Sequence, residues 1–187
     1  MQLIQLPRTE LHVSRLAFGC WGITNDFQWS GRSDAVSIAT IHEALAVRVN
    51  FFDTAAMYAD GASEELLGRA LKDHPRERVV IASKMKPAEM SPAAVTAACE
   101  ASLRRLGTEY LDLYQTHWMM DRSAQLSTTW EAMLRLRDAG KIRYLGVCNA
   151  GVADLAEVSA LEPPATNQIP YNLLWRAIEH EILPACR

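Results

Sequence analysis

The chain has 187 residues, 49% of them hydrophobic and 22% charged, which gives one soluble domain (residues 1–187) a sizeable core and is short for two. A net charge of −3 without a dense Lys/Arg cluster argues against nucleic acid or an anionic membrane surface as partner. No apolar run is long enough to span a bilayer, and "MQLIQLPRTELHV" has neither the basic start nor the apolar core of a signal peptide.

Along the chain, short apolar runs alternate with helical patterns. "LIQL" and "LHVSRL", on either side of Pro7 to Thr9, read as a small hairpin that would plug a barrel floor. "LAFGCWG" (16–22) reads as a strand, and Ser33 or Asp34 then caps a helix with Ile38, Ile41 and Leu45 on one stripe. "VNFFDTA" (49–55) is the second strand. Ser63 is the expected cap of the next helix, with Glu64 and Glu65 in its first turn and Leu66, Leu67, Ala70 and Leu71 on its inner face. "RVVIASKM" (78–85) is the third strand. A helix after Ser91 carries Val95, Ala98, Cys99, Leu103 and Leu106 and stops at Gly107. "YLDLYQTHW" (110–118) is the fourth strand, followed by a helix through Trp130, Met133, Leu134 and Leu136 that ends near Gly140. "RYLGVCN" (143–149), a helix from Val152 to Leu161, "ATNQIPY" (165–171) and a last helix from near Trp175 complete the pattern. Cys20, Cys99, Cys148 and Cys186 form no CxxC pair, which points to reduced thiols in the cytoplasm rather than to disulfides or a zinc site.

Six repeats of strand then helix, with near-continuously apolar strands, predict a parallel sheet covered by helices. An open doubly wound sheet and a (β/α) barrel both fit that description. No G-x-G-x-x-G follows the first strand, and the strict alternation favours the barrel.

In such a barrel the chemistry gathers at the C-terminal ends of the strands. Those ends carry Asp53, with Tyr58 in the loop beyond it, then Lys84, His117, Asn149 and Gln168. A lone strand-end Asp is more often a loop cap, and a lone His more often a satisfied structural residue; several such ends facing one mouth are harder to read that way. The types suit proton transfer to a carbonyl. A phenol titrates near ~10. A neighbouring lysine favours the phenolate and is expected to lower that value, while an aspartate keeps the lysine charged. A histidine can hold the substrate oxygen. Side chains cannot supply hydride, so a nicotinamide cofactor is implied.

"NFFDTAAMYADGASEELLGRALK" (50–72), "IASKMK" (81–86), "DLYQTHW" (112–118), "KIRYLGVCN" (141–149) and "NQIPYN" (167–172) together resemble the aldo-keto reductase family, in order and spacing, over essentially the whole chain. The resemblance implies a TIM-type (β/α) barrel, of which about six of eight strand–helix units are present after an N-terminal hairpin. It implies reduction of aldehyde or ketone carbonyls, with NADPH as the cofactor and NADH as the alternative. By position, Asp53, Tyr58, Lys84 and His117 are its catalytic residues, with Tyr58 as proton donor. Asn149 and Gln168 match the pair that hydrogen-bonds the nicotinamide carboxamide, with Cys148 where the family usually has serine. Trp21 and Trp118, with Tyr58 and His117, fall where the family lines its substrate pocket. A complete barrel needs ~250 residues. The family's last two strands, which grip the cofactor phosphates, are absent, so the 187-residue form is expected to bind NADPH weakly. A truncated product, a fragment, a remnant acting through partners, and an assembly completed by self-association through its open edges all remain readings of the sequence.

Overall fold

The computed structural model of the protein describes residues 1–25, 29–118 and 125–187. Strands β1 (Leu3–Gln5) and β2 (His12–Ser14) form an antiparallel hairpin with Ile4 opposite Val13. Its turn is pinned by Thr9, whose hydroxyl donates to the Leu6 carbonyl at 2.8 Å. Leu11 and Val13 are buried against Val80, Phe51 and Tyr144, residues at the beginnings of later strands or close to them. The hairpin therefore seals the N-terminal side of the sheet, as its apolar pattern led one to expect.

The main sheet is parallel and six-stranded, with strands β3 (Phe18–Gly19), β4 (Phe51–Asp53), β5 (Val80–Met85), β6 (Leu111–Thr116), β7 (Ile142–Cys148) and β8 (Thr166–Gln168) lying in sequence order. Alternation sorts the side chains. Phe52, Ile81, Tyr114, Leu145 and Val147 pack outward with Leu67, Leu103, Trp130 and Met133 of the helices. Asp53, Lys84, Gln115 and Gly146 have the opposite parity and face inward.

The sheet curls tightly. Asp53 on β4 and Gln168 on β8 are four strand spacings apart, ~19 Å in a flat sheet, yet Gln168 Nε2 donates to Asp53 Oδ2 at 3.0 Å. This is the (β/α)-barrel arrangement, with helices outside and the inward polar side chains gathered toward the C-terminal ends of the strands.

The helices are α1 (Asp34–Ala46), α2 (Ala62–Leu71), α3 (Pro92–Leu106), α4 (Leu126–Asp138), α5 (Val152–Ser159) and α6 (Ile182–Ala185). Ser33 caps α1 by accepting from the Val36 N–H, and Ser91 caps α3 with Pro92 at the first helical position. Gly107, at φ 64°, ends α3 as expected.

Three expectations need correction. The cap of α2 is Gly61 at φ 96°, not Ser63. Ser63 lies inside the helix, fully buried, donating to the Cys20 carbonyl at 2.7 Å and bonded to the Thr54 hydroxyl at 3.0 Å. The first and last strands of the main sheet are shorter than their apolar runs, because each is paired on one side only, and Pro170 has no N–H to extend β8. The helix expected from Trp175 is a single 3-10 turn (Ala177–Glu179) followed by the four-residue α6. Trp175 at its start is 60% exposed and Ile182 packs on the core, so that stretch has little of the apolar packing that stabilises most helices.

Candidate active site

The inward residues converge at the C-terminal ends of β4 to β8. Lys84, on β5 and 1% exposed, is the hub. Its Nζ lies 2.8 and 2.9 Å from the two Asp53 carboxylate oxygens, 3.0 Å from the Thr54 carbonyl and 3.3 Å from the Tyr58 hydroxyl. A buried ammonium is tolerated because acceptors surround it. Burial alone would lower its pKa, but Asp53 and Tyr58 outweigh that and raise it, so the lysine stays charged.

Tyr58 reaches this hub by an unusual backbone path. It opens a 3-10 turn (Tyr58–Gly61) in which Ala59, Asp60 and Gly61 all have positive φ. Left-handed conformation costs an L-residue roughly 1–2 kcal/mol, so two non-glycine residues here represent stored strain of the kind found at functional sites. The turn brings the ring 5.1 Å from Lys84 Nζ, measured to its centroid. The Tyr58 pKa is raised rather than lowered: burial pushes it up, Lys84 pulls it down, and Asp53 pushes it up again. The expectation of a lowered phenol pKa is thus corrected. Lys84 acts in the expected direction, but burial wins.

His117 follows β6 and meets Tyr58 edge-on, with ring centroids 5.6 Å apart. Its pKa falls to about 4, through burial and then the Lys84 charge, so the imidazole is neutral at neutral pH. Its buried Nδ1 has no hydrogen-bond partner among the described residues. Trp118 stacks on His117 at 6.3 Å and Trp21 on Tyr58 at 6.2 Å, so two half-exposed indoles flank the phenol and imidazole. On its other side Trp21 borders a cavity of about 690 Å³ against Phe18, Trp29 and α1.

Opposite lies a rim of amides. Asn149, at φ 58°, donates from its backbone to the Gln168 carbonyl at 2.9 Å and from its side chain to the His117 carbonyl at 3.2 Å. The Asn149 side chain also lies 3.1 Å from the Cys148 sulfur. Burial raises the Cys148 thiol to about 11, which leaves it protonated and unreactive. Gln168 bonds Asp53 directly, so the amide rim and the ion pair form one connected unit.

Every residue singled out from the sequence therefore lies at this one mouth. The sequence reading missed Gln115 and Thr166, which sit beneath it: Thr166 donates to Gln115 at 2.9 Å, and Gln115 donates to Gln168 at 3.1 Å. The available signal was an amide at an inward register, level with Lys84. Glu64 was also read only as a first-turn acid. It is fully buried behind β5, where it accepts from Ser83 at 2.5 Å and from Arg105 at 2.6 Å.

Comparison with known proteins gives the context of this geometry. The aldo/keto reductase family model matches residues 15–187. The aldo-keto reductase YhdN of Bacillus subtilis is 37% identical over 193 residues, covering 98% of this chain and 58% of that protein. The NADH-specific methylglyoxal reductase of Escherichia coli is 33% identical, with 100% of this chain and 64% of that protein covered. A crystal structure of an aldo/keto reductase from Klebsiella pneumoniae, in complex with NADP and acetate, shares 38% identity at a TM-score of 0.83, covering 94% of this chain and 60% of its own. A thermostable aldo-keto reductase bound to the inhibitor epalrestat reaches a TM-score of 0.91 at 33% identity, covering 98% of this chain and 67% of its own. This chain thus spans 58% and 64% of the lengths of the two curated relatives. It belongs to the aldo/keto reductase family.

Proposed function

We propose that the protein reduces small aldehyde or ketone carbonyls to alcohols, with NADPH as the cofactor and Tyr58 as the proton donor. The observation that carries this reading is the single ammonium of Lys84 holding the Asp53 carboxylate and the Tyr58 hydroxyl together at the mouth. A nicotinamide cofactor would supply the hydride. The polar atoms present fit its carboxamide: Asn149 and Gln168 offer amide donors and acceptors, and Cys148 a weak thiol contact. A solved relative was crystallised with NADP and a curated one is named NADH-specific, which supports NADPH with NADH as the alternative.

The side chains then divide the work. With its pKa raised, Tyr58 is protonated at neutral pH and has a proton to give. As the proton leaves, Lys84 at 3.3 Å stabilises the phenolate, and Asp53 keeps that lysine charged. Neutral His117 can hold the carbonyl oxygen by a hydrogen bond, and Trp21 and Trp118 give an apolar substrate its walls. No helix among the described residues is long and apolar enough to cross a membrane. The four free thiols support a reducing, cytoplasmic setting.

A second reading, a partial barrel that acts through partner binding, draws on the exposed run Tyr171, Leu173, Leu174 and Trp175 just beyond β8. Initial rates with NADPH and a panel of small aldehydes and ketones, for the wild-type chain and Tyr58→Phe, separate the two. General-acid catalysis contributes ~10²- to 10⁴-fold. A loss in that range, with NADPH affinity little changed, is expected; a loss below tenfold overturns the role of Tyr58, and an inactive wild type favours the second reading.

A further inference from the structure

We propose that Gln115 and Thr166 are positioning residues that lock the Gln168 side-chain amide in one of its two orientations, with the Asp53 carboxylate setting the direction. A primary amide has one accepting end and one donating end, and a flip exchanges them. Here the flip is decided by charge. Asp53 is paired with Lys84 and, when ionised, can only accept, so Gln168 must present its NH2 group at Asp53 Oδ2, 3.0 Å away. The Gln168 oxygen then faces Gln115, which must donate, at 3.1 Å. That turns the Gln115 oxygen toward Thr166, whose hydroxyl must donate, at 2.9 Å. Every bond from Thr166 to Asp53 thus runs in one sense. Reversing any amide would set oxygen against oxygen at some step, and Gln115, 1% exposed, has no water to turn to.

A second observation supports the same chain. Gly146 lies between Gln115 and Thr166 in register on β7, and its φ is not positive, so its backbone does not require glycine. A Cβ there would come within 2.3 Å of Thr166 Oγ1 and 3.0 Å of Gln115 Cγ. The missing side chain is the space through which Gln115 and Thr166 meet across β7.

The consequence rests on the reading of Gln168 as a carboxamide contact. With one N–H on Asp53 and one lone pair on Gln115, Gln168 keeps one donor and one acceptor site of fixed identity. A nicotinamide carboxamide would then meet a defined pattern instead of an amide free to turn.

The test uses the full chain and Gln115→Met, which keeps the shape but removes both polar ends, with Thr166→Val as a milder cut. Side-chain 15N–1H spectra are recorded without cofactor. In the wild type, the Gln168 NH2 pair, assigned by its loss in Gln168→Leu, is expected to be well split and displaced from the shifts of free glutamine. In Gln115→Met it is expected to move to the shifts of a solvated glutamine, with a smaller move in Thr166→Val. A wild-type pair already like free glutamine, or one unmoved by Gln115→Met, overturns the lock. Affinities for NADPH and for its analogue lacking the carboxamide then test its use. Weakening of NADPH by roughly five- to tenfold, the typical loss of one hydrogen bond, is expected with the analogue unchanged. Equal weakening of both, or of neither, overturns the positioning role. Because the spectra need no turnover, failure of the carbonyl-reductase reading leaves them intact, and the two failures are told apart.

Discussion

At the scale of single residues, the site depends on a cation kept almost entirely from water. Removing a partner from a buried pair typically costs ~3–5 kcal/mol. Lys84→Met should therefore lose stability in about that range, leaving Asp53 without its cation beside the one bond it accepts from Gln168. Thermal and urea melts check this, and a variant that melts with the wild type would rule out the pairing as a structural element. Asp53 and Lys84 were legible in the sequence because each places a charge where an apolar strand ends. Tyr58 was legible as a phenol in the loop beyond a strand end, and its role as proton donor came by resemblance; the backbone path was hidden, since no periodicity foretells a turn with three successive positive-φ residues. The direction of its pKa shift was not legible at all, because it depends on how deeply the ring is buried. Gln115 stayed hidden because one amide in a strand looks ordinary until its register shows which way it faces.

At the scale of elements, the helices hold the strands through close approaches as well as apolar stripes. Gly68 of α2 lies against the end of α3, and a Cβ there would come within 2.5 Å of the Leu106 carbonyl oxygen. Alanine is the better helix former by ~1 kcal/mol, yet backbone cannot yield as a side-chain tip can. Gly68→Ala is accordingly expected to destabilise, by about 1–3 kcal/mol as for overpacked cores, read from the urea midpoint at unchanged slope. A gain in stability would mean that α2 and α3 can slide apart freely. Nearby, buried Glu64 ties α2 to Arg105 of α3 and to Ser83, the outward neighbour of Lys84. Helix positions were legible from the 3.6-residue spacing of apolar residues. The ends were less so: Ser63 has the composition of a cap, but its hydroxyl is spent on Cys20 and Thr54 while Gly61 supplies the left-handed turn. The segment after Trp175 has helical composition, but Ile182 is its one apolar side chain packed on the core, and the helix is broken into a 3-10 turn and the short α6.

At the scale of the molecule, the order of the strands could be read from the sequence, whereas the radius of the sheet could not. The alternation of strand and helix is local, but the curl is visible only where residues 115 positions apart touch, at Asp53 and Gln168. Protection should follow the same geometry. Backbone amides of β5, β6 and β7, paired on both sides and largely buried, should exchange with deuterium most slowly, and those of Phe18–Gly19 and Thr166–Gln168 much faster. Uniform protection across all six strands would mean that the outer strands are covered in solution. The strictly sequential strand order also bears on how the protein is made. From β4 onward, each strand of the main sheet pairs with the one synthesised before it, so each later strand–helix unit leaving the ribosome finds its docking partner already in place. The mouth is filled in the same order: Trp21 emerges first, Asp53 and Tyr58 next, Lys84, His117 and Trp118 follow, then Cys148 and Asn149. Gln168 comes last, so the amide rim and the ion pair become one unit only after the sixth strand of the main sheet has been delivered.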